Sequence, residues 1–403
     1  MPARFATSLP DWVSRCGPVY LPASLDVVAA AVRLTEESAG AIIPVGGATE
    51  IARGSAPDSS RPLILLGSAR LSGIVDYQPD DMTVTCESGV TLQRLQNLLA
   101  DHNQFLPVDT PLAEHATIGG LVAANQTGLW RAAYGTPRDL VIGVRAVTAG
   151  GTLVKGGGRV VKNVAGYDVC KLFTGSWGSV GFIVEVTFKV RPRPAATCAL
   201  RWRARTVGEA VLAARVAWQS KMAAAFCVAT TEAGGGPCVI VGLRETEARV
   251  SWQASEFRRL LAGDLPDAAE TIGEDEVDAL RTQLARSYMP GEAAARITCL
   301  PSETPTVARA LQEVGVTRLT VDAAVGTIEC VIDAVSPANM AAAAGCTPAG
   351  GSILWRRCDT AVLKAAGLEP WALLGGHMRL HRSLKQQVDP HSTFSPGRFI
   401  GGL

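Results

Sequence analysis

Three segments dense in glycine carry the residues best suited to chemistry in this chain. The first consists of Pro44, Val45, Gly46, Gly47, Ala48 and Thr49. Adjacent glycines have no Cβ atoms, so successive backbone N–H groups can turn toward one point and hold an anion such as a diphosphate. The segment matches neither the GxGxxG pattern nor a P-loop, and a tight turn without a ligand is the alternative interpretation.

Two further glycine-dense segments follow in the chain. Residues 116–128 read ATIGGLVAANQTG, and their small side chains allow close packing against a flat ligand or, alternatively, packing of a helix against a sheet. Residues 156–183 begin with three glycines and include Gly175, Gly178 and Gly181. Three such segments in this order favour a bound cofactor more strongly than any one of them does.

These segments lie between patterns that are typical of an α+β fold. Apolar runs predict a buried strand at residues 41–45, further strands at 63–66, 73–77, 82–86 and 141–147, and a half-buried strand at 181–190. Helices are predicted after Ser24 and after Thr91, each of which suits an N-cap. Beyond residue 195 the chain repeats a run of strand, helix and two strands, at residues 198–243 and 296–332, which predicts a split βαβ layer.

Composition and charge exclude several classes of function. The 403 residues exceed what one hydrophobic core usually organises, so we expect two domains. A net charge of +1 gives no general attraction to nucleic acid or to anionic membranes. Residues 1–10 show no export signal and no apolar run is long enough to span a membrane, so we expect a cytoplasmic protein. The ten cysteines form no CxxC pair, so we expect neither an iron–sulfur cluster nor a zinc site.

The chain resembles the FAD-binding subunits of bacterial glycolate oxidase (glycolate dehydrogenase), within the PCMH-type, vanillyl-alcohol oxidase-like flavoproteins. Besides the first two segments, the resemblance rests on VKNVAGYD (161–168), GSWG (175–178), LKQQVDP (384–390) and FSPGR (394–398). It implies an α+β fold in which a two-subdomain PCMH-type FAD-binding domain (9–194) is followed by an α+β, ferredoxin-like cap domain (195–375). A C-terminal helix and tail (376–403) would pack on the FAD domain.

The resemblance also implies how FAD is held. The first segment would cradle the diphosphate, residues 117–123 would run beside the diphosphate and isoalloxazine, and the strand at Ile183 would meet the adenine. The implied cofactor-binding residues beyond the first segment are Thr117, Ile118, Gly119, Gly120, Ala123, Asn163, Gly181 and Ile183. Some relatives bond FAD covalently to a histidine of the first loop, where this chain has Gly47, Ala48 and Thr49, which predicts non-covalent binding.

The implied activity is that of an FAD-dependent oxidoreductase acting on the CH–OH group of a small 2-hydroxy acid. The chain would be one subunit of a glycolate dehydrogenase that forms glyoxylate. Electrons would pass through flavin to an iron–sulfur subunit and a quinone, and the complex would include a second flavin subunit and associate peripherally with the membrane. Two alternatives stay open: a self-sufficient D-2-hydroxy acid dehydrogenase of the D-lactate type, and a non-catalytic scaffold with a flavin fold.

The histidines bear on which subunit performs catalysis. Catalytic relatives carry an HxGDGNxH motif in the cap, and none of the five histidines of this chain lies in such a motif. We therefore assign no catalytic residue and expect the general base in the sister flavin subunit. His377 and His381 are four residues apart, but no third ligand accompanies them, and a surface or packing role is expected rather than a metal site.

Overall fold

A computed structural model of the chain describes residues 10–158, 168–220, 222–231, 235–286, 293–372 and 378–403. These residues form two compact units. The first unit takes in the described residues up to Thr127, Gly135–Arg193 and the described part of Gly375–Leu403. The second takes in Gly128–Tyr134 and the described part of Pro194–Leu374. Within the described ranges, no helix is long and apolar enough to cross a membrane.

The first half of the chain supplies most of the first unit. Its strands are β1 (Val19–Tyr20), β2 (Ala41–Val45), β3 (Leu63–Gly67), β4 (Ile74–Gln78), β5 (Thr83–Glu87), β6 (Gln104–Phe105), β7 (Val141–Thr148), β8 (Thr152–Gly157), β9 (Phe182–Lys189) and β10 (Arg191–Pro192). Its helices are α1 (Leu25–Glu37), α2 (Leu92–Ala100), α3 (Ile118–Ala124), α4 (Arg131–Tyr134), α5 (Pro137–Leu140) and α6 (Val169–Phe173), of which α4 belongs to the second unit. The predicted N-caps are confirmed, because Ser24 and Thr91 each accept a backbone N–H three residues on.

The strands of the first unit form two main sheets. A parallel sheet has the order β1-β3-β2, and an antiparallel sheet has the order β4-β5-β9-β7-β8. The apolar sequence of β2 is almost wholly buried, as expected for a strand covered on both faces. Phe394 pairs with Ile42 at the edge of β2, where the N–H of Ile42 donates to the carbonyl of Thr393 (2.7 Å). The expected return of the C-terminal segment to this unit is therefore confirmed.

The second unit is built on one large sheet. Its strands are β11 (Ala196–Arg203), β12 (Phe226–Thr230), β13 (Cys238–Glu245), β14 (Glu270–Ile272), β15 (Ala293–Thr298), β16 (Arg318–Asp322), β17 (Thr327–Ile332), β18 (Ser352–Arg357) and β19 (Trp371–Ala372). They pair antiparallel in the order β14-β11-β13-β12-β16-β17-β15-β18-β19. Pairing of β12 with β16 joins the two predicted halves into this sheet, and the expected α+β cap layer is confirmed.

Helices cover the sheet of the second unit and complete the chain. They are α7 (Val207–Gln219), α8 (Glu247–Leu260), α9 (Glu274–Arg286), α10 (Thr304–Glu313), α11 (Pro337–Gly345) and α12 (Thr360–Ala365), and α13 (Met378–Val388) follows in the first unit. Val211 on α7 and Leu311 on α10 are fully buried in the core that includes the sheet residues Val241 and Ile328. The second predicted half was expected to begin at residue 296, whereas its first strand, β15, begins earlier, at Ala293, and ends at Thr298.

Candidate functional site

A cleft in the first unit is lined by residues from all three glycine-dense segments. It encloses about 830 Å³, part of which is open to solvent. The lining consists of Ile43, Pro44, Val45, Gly46, Gly47, Ala48, Thr49, Glu50, Ile51, Ser68, Ser88, Thr117, Gly119, Gly120, Ala123, Ala124, Trp177, Gly178, Gly181, Phe182, Ile183, Ser395 and Arg398.

The first segment enters the cleft directly after β2. A Cβ atom on Gly46 would overlap Oγ1 of Thr117, and one on Gly47 would overlap the carbonyl oxygen of His115. Glycine at both positions therefore lets this loop lie against His115 and Thr117, at the start of the second segment. Ala48 follows in the left-handed conformation, with φ of 58°. A left-handed residue beside such a turn directs successive N–H groups into one concavity, which is the geometry that binds anions.

The second segment forms helix α3, whose start is held by the neighbouring turn. Thr117 is the N-cap, and its Oγ1 accepts the N–H of Gly120 (3.4 Å). The N–H of Gly119 donates to the carbonyl of Ser88 (2.8 Å), which lies directly after β5. The apolar sheet and this cap together fix the small-residue face of α3 along the cleft.

The third segment is joined to both the second segment and the C-terminal tail. The N–H of Trp177 donates to the carbonyl of Ala123 (2.8 Å), at the end of α3. The hydroxyl of Ser395 donates to the carbonyl of Gly178 (3.0 Å). Residues 181–183 then pass along the cleft into β9. Segments that are distant in sequence thus form one continuous wall.

A buried lysine fastens the C-terminal segment to this wall. The Lys385 side chain on α13 is 8% exposed. Its Nζ donates to the carbonyl of Ser179 (2.6 Å), to Oδ2 of Asp389 (2.6 Å) and to the carbonyl of Phe394 (2.7 Å). All three donors of the ammonium are therefore used. Burial lowers the pKa of Lys385, and the attraction of Asp389 opposes that change. We call Lys385, Asp389 and Phe394 the C-terminal clasp.

Arg398 supplies positive charge to the cleft. Its Nη2 donates to the carbonyls of Ile51 (3.0 Å) and Arg53 (2.8 Å), which follow the first segment. Its guanidinium lies over the ring of Trp12, 4.4 Å from the centroid. Burial lowers the pKa of Arg398 to about 10. The side chain therefore remains cationic at neutral pH and suits a cofactor that carries a diphosphate.

The side chains of the lining fit a polar ligand held without a covalent bond. Ser68 and Ser88 are 4% and 1% exposed, and their Oγ atoms have no hydrogen-bond partner within the described chain. Buried hydroxyls of this kind are rare unless a ligand or water completes them. Nucleophilic His, Cys and Tyr side chains are absent from the described lining. Non-covalent binding of FAD stays a prediction from the sequence.

Most residues that the sequence predicted to bind the cofactor lie together here. Twelve of the fourteen line the cleft. Ile118 is fully buried beneath the lining, and Asn163 lies outside the described residues. The prediction omitted Ser68, Ser88 and Arg398 among others. A single serine after a strand carries no sequence signal, whereas the FSPGR motif that contains Arg398 pointed to the tail as a whole.

Ionisable groups outside the cleft suggest no metal centre. The described ranges hold no group of three or more His, Cys, Asp or Glu residues that could bind a metal ion, and His377 lies outside those ranges.

On β16 of the second unit, Asp322 is buried and accepts the N–H of Ala324 (3.0 Å). Burial raises the pKa of Asp322 to about 6, although Arg131 and Arg296 oppose that change.

Known proteins are similar in sequence to parts of this chain. The FAD binding domain family matches residues 18–157. The chain is 42% identical to glycolate oxidase subunit GlcE of Escherichia coli over 130 residues, which are 32% of this chain and 37% of that protein. It is 32% identical to D-2-hydroxyglutarate dehydrogenase of Xanthomonas citri over 188 residues, which are 46% of this chain and 39% of that protein. The chain therefore spans less than two fifths of the length of these curated relatives.

Solved structures share the fold over nearly the whole chain. p-Cresol methylhydroxylase with substrate bound aligns with a TM-score of 0.70 and 16% identity, covering 94% of this chain and 88% of that one. Alkyldihydroxyacetonephosphate synthase aligns with a TM-score of 0.67 and 19% identity, covering 94% and 77%. Identities this low establish the fold alone. The chain thus has an α+β, PCMH-type FAD-binding fold, and its cofactor is FAD.

Proposed function

We propose that this chain is the FAD-binding subunit of a multi-subunit glycolate dehydrogenase. The single observation that carries the proposal is the 42% identity with a glycolate oxidase subunit, compared with 32% for the D-2-hydroxyglutarate dehydrogenase. Bound FAD supplies hydride acceptance, so the α-carbon of glycolate would be oxidised to the carbonyl of glyoxylate. We also propose residues 9–194, 195–375 and 376–403 as its FAD-binding domain, cap and C-terminal segment.

The proposal assigns the chain a limited role within the complex. Its cleft residues bind and orient FAD through backbone N–H groups, the Thr49 hydroxyl and the Arg398 cation. The chain has five histidines and lacks the HxGDGNxH motif. A general base in a second flavin subunit would complete substrate oxidation, and an iron–sulfur subunit would carry electrons to a membrane quinone. This complex would be attached peripherally to the membrane through its partners.

A second candidate is a self-sufficient FAD-dependent D-2-hydroxy acid dehydrogenase. Similarity at 30% and 33% identity to D-lactate dehydrogenases of Archaeoglobus fulgidus and Anaerostipes hadrus favours it. The two candidates differ in whether the isolated chain oxidises a 2-hydroxy acid without partner subunits. A non-catalytic scaffold, the third reading, differs from both because its complex would keep full activity when this chain binds no FAD.

The decisive experiment purifies the tagged chain from its native cells with and without its partners. We expect a second flavin chain and an iron–sulfur chain to co-purify, and glycolate to reduce an artificial acceptor faster than D-lactate or D-2-hydroxyglutarate does. The isolated chain should be inactive but should still contain FAD. Rapid oxidation of D-lactate by the isolated chain would replace the proposal with the second candidate. Full glycolate activity in a complex whose copy of this chain lacks FAD would leave only the scaffold role.

A further inference from the structure

Helix α13 is held to the first unit mainly by polar contacts. Lys385 is its one buried side chain, and Val388, in its last turn, is half-buried against the core of this unit. Leu380 and Leu384 are instead 70% and 37% exposed. A helix of 11 residues is marginal unless an apolar face is packed against the protein. The docking of α13 therefore depends chiefly on the bonds of one ammonium group.

That ammonium group lies next to two positions of the cleft wall. Nζ of Lys385 donates to the carbonyls of Ser179 and Phe394. Gly178 directly precedes Ser179 and lines the cleft. Ser395 directly follows Phe394, also lines the cleft, and donates its hydroxyl to the carbonyl of Gly178 (3.0 Å). Lys385 lies outside the lining but joins the two segments at the point where they meet in the wall.

Asp389 fixes the backbone that Lys385 binds. Its Oδ1 accepts the N–H of Thr393 (2.8 Å), and its Oδ2 accepts the N–H of Phe394 (2.8 Å) as well as the ammonium of Lys385 (2.6 Å). The carbonyl of Thr393 accepts the N–H of Ile42 (2.7 Å) on β2, the strand that leads into the first segment. Breaking a buried charge pair is unfavourable, because the partner left behind stays buried. The C-terminal clasp therefore holds the chain after Asp389 against the wall in one position.

We propose that Lys385 is a positioning residue of the FAD site, and that binding of FAD and docking of α13 stabilise each other. Lys385 acts through the wall and not by touching the cofactor. Opening of the clasp would remove Ser395 from the lining and leave the carbonyl of Gly178 without its donor. FAD binds the closed state and so shifts the chain toward it. The Kd for FAD rises in proportion as the closed fraction of the chains falls.

Amide hydrogen exchange of the full chain tests this coupling without any substitution. None of the residues of α13, all within the described ranges, lines the cleft, so slower exchange there reports coupling rather than contact with FAD. With free FAD at about one hundred times its Kd, full coupling slows exchange about a hundredfold, and we expect α13 to slow by at least about tenfold. Helix α10 of the second unit is the control and should exchange at the same rate with and without FAD. Exchange of α13 that FAD leaves unchanged would overturn the proposal.

Lys385→Met tests the positioning role itself. If about one chain in ten keeps the clasp closed, the Kd for FAD rises about tenfold, and we expect at least that rise in titrations of the apoprotein. Exchange of α13 should be fast in the apoprotein of this variant and slow again at saturating FAD. A lysine that only stabilises the fold would instead speed exchange throughout the first unit. It would leave the affinity of the folded chains for FAD unchanged.

Leu99→Ala is the matched control. Leu99 is fully buried in the core of the same unit and lies outside the cleft lining, so its truncation also lowers the unfolding midpoint. The control should bind FAD as the parent chain does. Unchanged FAD affinity in Lys385→Met, or an equal loss of affinity in Leu99→Ala, would overturn the positioning role. If Lys385→Met does not fold, the exchange of α13 in the parent chain decides the question.

Discussion

A methyl group added at Gly47 tests whether close contact of the first two segments makes the cofactor site. In Gly47→Ala the new Cβ would lie 2.7 Å from the carbonyl carbon of His115 and closer still to its oxygen. Both atoms belong to backbone, so the loop must move to accept the methyl group. Overpacking of this kind costs about 1–3 kcal/mol. FAD requires the loop in its original position, so binding has to restore the strained contact.

The expected result is a Kd for FAD that rises about five- to a hundredfold, since each 1.4 kcal/mol is a factor of ten. Apoprotein titrated with FAD and followed by flavin fluorescence measures it. Gly208→Ala is the matched control, because a Cβ there meets only Oγ1 of Thr206, at 3.9 Å. Unchanged affinity in Gly47→Ala would refute the reasoning, because the loop could then separate from the second segment without consequence.

Three further predictions concern stability and reactivity. Lys385→Met leaves Asp389 buried without its cation. It should lower the free energy of unfolding of the apoprotein by about 3–5 kcal/mol in denaturant titrations. The control Lys189→Met, at the exposed end of β9, should change that free energy little. A loss below about 1 kcal/mol for Lys385→Met would contradict the clasp. Because burial raises the pKa of Asp322 to about 6, its contribution to stability is present in acid and is lost as the pH rises toward neutral. Asp322→Asn should therefore raise the free energy of unfolding near neutral pH by up to about 3 kcal/mol and have little effect at about pH 4. An equal change in the free energy of unfolding at both pH values would contradict this prediction. Burial also raises the pKa of the Cys86 thiol to about 12, so an alkylating reagent should label it only after unfolding, and rapid native labelling would count against that burial.

The elements next to the cofactor were predictable from sequence because their signals are local. A short all-apolar run such as Ala41–Val45, followed by two glycines, is typical of a strand covered on both faces that ends in a turn. Ser24 and Thr91 indicate the starts of their helices because each precedes apolar residues at helical spacing and carries a hydroxyl that can cap the first turn. The strand, the turn and the two helix caps each depend on residues that lie within a few positions of one another, so they can be predicted without knowledge of the tertiary fold.

The remaining features depend on contacts between distant residues. Ser68 and Ser88 are ordinary serines in sequence, and only the packing of β3 and β5 places them in the cleft. Ile118 sits in the predicted cofactor segment, yet helical periodicity turns its side chain into the core. Inclusion of Gly128–Tyr134 in the second unit likewise has no local sequence signal, because the chain leaves the first unit and returns within a few residues.

The most direct test of the central claim is a flavin count on the chain expressed alone. The purified protein is denatured with acid, the precipitate is removed, and the flavin in each fraction is quantified and identified. A cleft whose described lining is rich in glycine backbone and holds no His, Cys or Tyr predicts one FAD per chain, all of it in the supernatant. A chain that holds no flavin and takes up none from solution, or flavin that stays with the precipitated protein, would contradict the account.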